Sequence, residues 1–227
     1  IMEVFNANVR SGDVEKLQES FAALSASEKQ SLANTDTARM AVFHASNEST
    51  LLKQLLEAKF VADYKDSTGE TSLHRAVKAN KPDCVLLLLD CDSCDVNATD
   101  GHQQTALHRA GEFGYETCLE LLVNHERVNI DAEDAWSRTA LHWTLQKGMM
   151  EPTLALLRRE AKMTTTVSKE TPLHWAVRGG HRDQVHTLLQ RHPELSVYAM
   201  NDRMESPMDM ARTLGFGTIV ELLWEHA

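Results

Sequence analysis

The chain has 227 residues, 25% of them charged, and 33 acidic against 23 basic side chains leave a formal charge of −10. Such a balance argues against nucleic acid as a partner, because phosphate binding needs a basic face that releases counterions. No apolar run approaches the roughly 20 residues of a membrane-spanning helix, and the N-terminus lacks the basic-then-apolar order of an export signal.

Met2 follows Ile1 and is expected to be the natural start. Phe5, Val9, Gly12, Asp13, Leu17 and Phe21 have the spacing of two short helices about a turn, which predicts an N-terminal capping unit. With a Ser-rich link from about Leu24 to Thr37 it occupies residues 1–37. A degenerate second unit over 38–70 begins at Ala38-Arg39-Met40-Ala41-Val42-Phe43 and keeps Leu52, Leu55 and Leu56 in register.

From residue 71 the pattern sharpens into near-copies of one hexapeptide. Thr71-Ser72-Leu73-His74-Arg75-Ala76, Thr105-Ala106-Leu107-His108-Arg109-Ala110, Thr139-Ala140-Leu141-His142-Trp143-Thr144 and Thr171-Pro172-Leu173-His174-Trp175-Ala176 follow one another at 34, 34 and 32 residues. A threonine before a helix can accept from an orphan backbone N–H, and Pro172 occupies a first-turn position where no donor is missed. Gly114, Gly148 and Gly180, nine residues after their threonines, are placed to end the first helix in a left-handed turn. Second helices follow, carrying Val85, Leu88 and Leu89, then Leu119 and Leu122, Leu156 and Leu157, and Val185, Leu188 and Leu189. Polar stretches such as 63–70 and 96–104 read as exposed β-turn fingers. The units span 71–104, 105–138, 139–170 and 171–205, and Ser206-Pro207-Met208-Asp209-Met210-Ala211 opens a C-terminal cap over 206–227.

Helix, turn, helix and finger with T-x-L-H-x-A resembles the ankyrin repeat. The resemblance implies an all-α solenoid of about seven repeats, forming a single domain over 1–227 in which no unit can bury its apolar face alone. It also implies a partner surface: the concave groove made by fingers and first helices. The positions that match it are Arg75, Lys78, Arg109, Glu112, Phe113, Trp143, Gln146, Lys147, Trp175 and Arg178, with His102, Trp136 and Arg138 from the fingers. Trp143 and Trp175 fall at one position in neighbouring repeats, so both indoles are expected to lie exposed beside arginines, as binding hot spots do. The alternative is that they pack on the finger bases.

Cys84 and Cys118 share one repeat position and are expected as core filler, whereas Cys91 and Cys94 form a lone CxxC with no second ligand pair, so no metal or other cofactor is expected. His74, His108, His142 and His174 occupy the fourth hexapeptide position, and use in every repeat points to structural hydrogen bonding. No GxSxG, Walker loop or GxGxxG is present, so an enzyme is not expected.

The expected function is a monomeric, non-enzymatic scaffold, cytoplasmic and also nuclear, that binds a protein partner and neither nucleic acid nor membrane. Repeat count and length also resemble the gankyrin type of proteasome-assembly chaperone, which implies a proteasomal ATPase subunit as partner. The alternative is a targeting or inhibitory domain of a larger protein or of an effector acting in a host cell. Asn97 stands where ankyrin asparagines resemble hydroxylation targets.

Overall fold

The computed structural model describes residues 1–227 and contains fifteen α-helices, with one isolated antiparallel bridge between Lys65 and Thr71. The chain groups into two compact units, Ile1–Gly101 and His102–Ala227. No helix is long and apolar enough to cross a membrane.

The first unit holds α1 (Met2–Ser11), α2 (Val14–Ala23), α3 (Ala26–Leu32), α4 (Asp36–Ala45), α5 (Ser49–Glu57), α6 (Ser72–Lys78) and α7 (Pro82–Leu89). Its front is closed by Phe5, Phe21 and Phe60, whose rings meet at 5.6–6.4 Å. Two features differ from the sequence pattern. The Ser-rich link contains α3, which Ser25 starts by accepting from the Glu28 N–H while the Glu28 carboxylate accepts from the Ser25 N–H. The second repeat's helix begins at Asp36, not Ala38, because Thr35 supplies the missing cap by accepting from Ala38 N–H.

The second unit holds four helix pairs: α8 (Ala106–Phe113) with α9 (Glu116–Asn124), α10 (Ala140–Lys147) with α11 (Met150–Arg158), α12 (Pro172–Gly179) with α13 (Arg182–Arg191), and α14 (Pro207–Thr213) with α15 (Gly217–His226). First helices pack on first helices and second on second. Leu107, Leu141 and Leu173 point into the core, together with Leu119, Leu122, Leu156, Val185 and Leu188. Gly114, Gly148, Gly180 and Gly215 all take φ of 72–75°, where a side chain would be strained. Cys84 and Cys118 are buried, and burial pushes each thiol up to about 11.

The hexapeptide histidine has a defined mechanical role. Nδ1 of His108 accepts from the Thr105 backbone N–H at 3.2 Å and lies 2.9 Å from its hydroxyl. That leaves the proton on Nε2, which donates to the carbonyl of Arg138, in the following finger, at 2.8 Å. His174 repeats both bonds with Thr171 and Glu205. His142 binds Thr139 in the same way, but its Nε2 faces the Thr164 backbone in a geometry too poor for a hydrogen bond. Fingers join one another by main-chain bonds: Gly101 N–H to Thr68 O within the first unit, and Ala135 to His102, Val167 to Trp136 and Asp202 to Ser168 within the second.

Burial holds the His142 ring neutral and pushes its pKa down to about 4, with the backbone of Thr164 and the charge of Asp134 opposing. A folded-state value below the unfolded one of about 6.5 means that its contribution is fully present above pH 6.5 and lost as the pH falls through about 4. The urea midpoint is therefore expected to drop steadily between pH 6.5 and 4, with roughly 3 kcal/mol traceable to this ring. A His142→Gln variant, which keeps an acceptor for Thr139, should show a visibly flatter profile in that window.

Candidate functional site

The expected groove residues divide between the two units. In the first, the Arg75 guanidinium lies 4.5 Å over the Phe43 ring and Lys78 reaches Glu70 at 3.0 Å. In the second, five of the sequence-predicted residues, Trp136, Arg138, Trp143, Trp175 and Arg178, converge on one cluster built from two fingers and two first helices. Its centre is Arg138. The guanidinium sits 4.5 Å from the rings of both Trp136 and Trp143, while Nε and Nη2 bind one oxygen of Asp134 at 2.8 and 2.6 Å. The other Asp134 oxygen accepts from the backbone N–H groups of Trp136 and Arg138. Burial would push this carboxyl up, but the Arg138 side chain, the two backbone donors and the guanidinium charge outweigh it and hold the group below its ordinary value.

Behind Arg138 the rings stack inward. Trp143 meets Trp175 edge to face at 5.6 Å, Trp175 meets His142 at 5.5 Å, and Arg178 lies over Trp175 at 5.4 Å while both its terminal nitrogens bind the Glu170 carboxylate. The exposure expected of Trp143 and Trp175 is corrected here: they are only 9% and 6% accessible and stiffen the finger bases. The reason is that each arginine closes over a ring face that the sequence pattern leaves open. Trp136, by contrast, is 48% exposed, and His102 stacks on it at 6.2 Å.

Beside Trp136 lies a cleft of about 400 Å³ bounded by Arg138, Glu170, Trp175, Arg178 and Asp202, with Val167, 64% exposed, at its edge. Lys169 and Asp202 bridge neighbouring fingers at 3.1 Å. Val167 was missed by sequence pattern reading. Aligning fingers on Asp66, Asp100, Asp134, Thr166 and Asn201 would have placed it on the tip beside Trp136. Arg109 binds Glu112 at 3.2 Å and half-exposed Phe113 packs on Tyr115 at 5.5 Å. Lys147 is exposed and Gln146 half-buried. No three His, Cys, Asp or Glu side chains are grouped to hold a metal ion.

Paired helices joined by a tight turn, a cap of Thr and His, and fingers hydrogen-bonded in series define a repeat protein built for contact. A family model described as ankyrin repeats matches residues 8–100, 39–134 and 107–201, and the chain belongs to the ankyrin-repeat family. Among solved structures it is similar to the ankyrin repeat protein EF0377, at TM-score 0.74 and 23% identity, covering 82% of this chain and 98% of that one. It is also similar to the ankyrin repeat domain of Bcl-3, described as a unique member of the IkappaB protein family, at TM-score 0.70 and 26% identity over 82% and 86% of the two chains. A third similar structure is an ankyrin repeat domain from Acinetobacter baumannii AYE, at TM-score 0.70 and 24% identity over 82% and 96%. No curated protein sequence matches. Ankyrin repeats are in general protein–protein interaction modules without catalytic activity.

Two substitutions test the cluster. Gly111 lies where α8 meets α10, and an added Cβ would stand 2.9 Å from Cβ of Trp143. Gly111→Ala, normally a gain in a helix, should instead cost about 1–3 kcal/mol in urea unfolding. Arg138→Leu leaves the buried Asp134 carboxylate without its counter-charge and should cost roughly 3–5 kcal/mol, with Asp134→Asn, which removes the charge but keeps an acceptor for the two backbone donors, restoring part of the loss when added to it.

Proposed function

We propose that the chain is a non-enzymatic scaffold, acting as a monomer, that grips an extended segment of a protein partner across the finger tips of the second unit. The observation that carries this reading is the pairing of Trp136 and Val167, hydrogen-bonded neighbours that line one cleft and are both exposed although the indoles of Trp143 and Trp175 beside them are buried. An aromatic side chain fixed in place by a guanidinium loses little conformational freedom on binding, which is what a hot spot requires. The arginines are already paired, to Asp134 and Glu170, so they shape the cleft and add hydrogen-bond capacity without presenting a strong net charge. This supports a mixed, largely apolar ligand segment.

The same pairing weighs against a gankyrin-like clamp on a proteasomal ATPase subunit, since Glu70, Asp134 and Glu170 are each bound to a basic residue of the chain and are not open to an incoming cation. Cysteines used as core filler, as Cys84 and Cys118 are, suit a reducing compartment such as the cytoplasm or nucleus. A targeting or inhibitory domain of a larger protein would use this same surface.

A photo-crosslinking residue placed at Val167 should yield one dominant protein adduct in source cells, and one placed at exposed Thr218 should not. Adding Trp136→Ala should cut the Val167 adduct at least tenfold while the helical spectrum stays unchanged. Equal labelling from both positions would overturn the reading.

A further inference from the structure

A second surface lies in the first unit, on its second helices and away from the fingers. Two clefts of about 490 and 510 Å³ run along the seam of α5 and α7 and share Lys53, Glu57 and Leu87, so they form one continuous groove. Its floor is aliphatic, with Leu56 and Leu87 half-buried and Leu86 48% exposed. In the register of the repeats, Leu86 corresponds to Glu120 of α9, His186 of α13 and Glu221 of α15; only half-buried Leu154 of α11 shares its apolar character. A leucine that keeps about half its surface open to solvent, at a position that is charged or imidazole in three of the other four repeats compared, calls for a separate cause.

The walls of the groove are charged, and the two sides differ. Lys53 and Lys59 stand on the α5 side with Glu57 between them; Asp83, Asp90 and Asp92 stand on the α7 side. None of these carries an ion pair within the chain, whereas the finger–helix pairs Glu70 with Lys78 and Glu170 with Arg178 are closed. An aliphatic floor about two to three helical turns long between a basic wall and an acidic one matches the shape and charge of a helix. We propose that this groove takes an amphipathic helix of a partner protein, its apolar stripe on Leu56, Leu86 and Leu87, its basic flank toward the aspartates and its acidic flank toward the lysines.

The surface is separate from the finger-tip cleft, so either can fail alone. The probes are three stapled, fluorescent synthetic helices of about four turns with one leucine stripe: one flanked by Glu on one side and Lys on the other, one by Glu on both, one by Lys on both. Anisotropy should show the mixed helix binding tightest, by about tenfold over the all-Glu helix, with the preference fading at high salt. Leu86→Glu, on an exposed position, should weaken the mixed helix about tenfold and leave the circular dichroism unchanged. Asp90→Lys with Asp92→Lys, which adds cations where a helix C-terminus accepts them, should hand the preference to the all-Glu helix.

Absence of binding by all three helices, indifference to Leu86→Glu, or an unchanged ranking after the charge reversal would overturn the proposal. So would a dimer in sedimentation that Leu86→Glu converts to monomer, since a second copy would then be the occupant. Tight binding to phosphatidylserine vesicles that exceeds binding to every helix would overturn it in favour of a lipid surface.

Discussion

In His108 and His174 one imidazole ring closes the start of its own helix through Nδ1 and reaches the carbonyl of the next finger through Nε2. The two bonds fix the tautomer jointly: the backbone donor of threonine demands an acceptor at Nδ1, which forces the proton to the nitrogen that must donate. The ring has to be neutral to do both, and burial keeps it so. Local folding and repeat-to-repeat stacking are thus tied to one protonation state, and neither survives its loss intact.

What the chain displays follows from this frame. Arg138 offers its carbonyl to His108 and its side chain to Asp134, Trp136 and Trp143, so the residue that receives the histidine bond also organises the aromatic cluster. Asp134 in turn folds the finger by accepting from two of its backbone N–H groups. Trp136 is exposed because everything beneath it is already occupied.

The repeat architecture could be read from the hexapeptide because its threonine, leucine and histidine act within a few residues of one another. The buried pair Trp143 and Trp175 could not: whether an indole is open or covered depends on Arg138 and Arg178, five residues before one ring and three after the other, and on carboxylates that reposition both arginines. The start at Thr35 was hidden for a different reason. Its helix carries Ala38 where the later repeats carry histidine, so the cap is present without the partner that makes it recognisable. Val167 escaped because finger tips are held by main-chain bonds, which leave no mark on side-chain identity.

That last property reaches beyond this surface. Gln103, Ser137, Lys169 and Met204 occupy the turning point of successive fingers with φ of 54–59°, a conformation in which glycine would sit more comfortably. Carbonyl and amide register one finger against the next, and of these four corners only Lys169 adds a side-chain bridge, to Asp202, so the side chains at the other three answer to nothing inside the molecule. Each of those three is an independently writable address: its chemistry can be exchanged for another without renegotiating the interior, and a new contact specificity can arise one letter at a time.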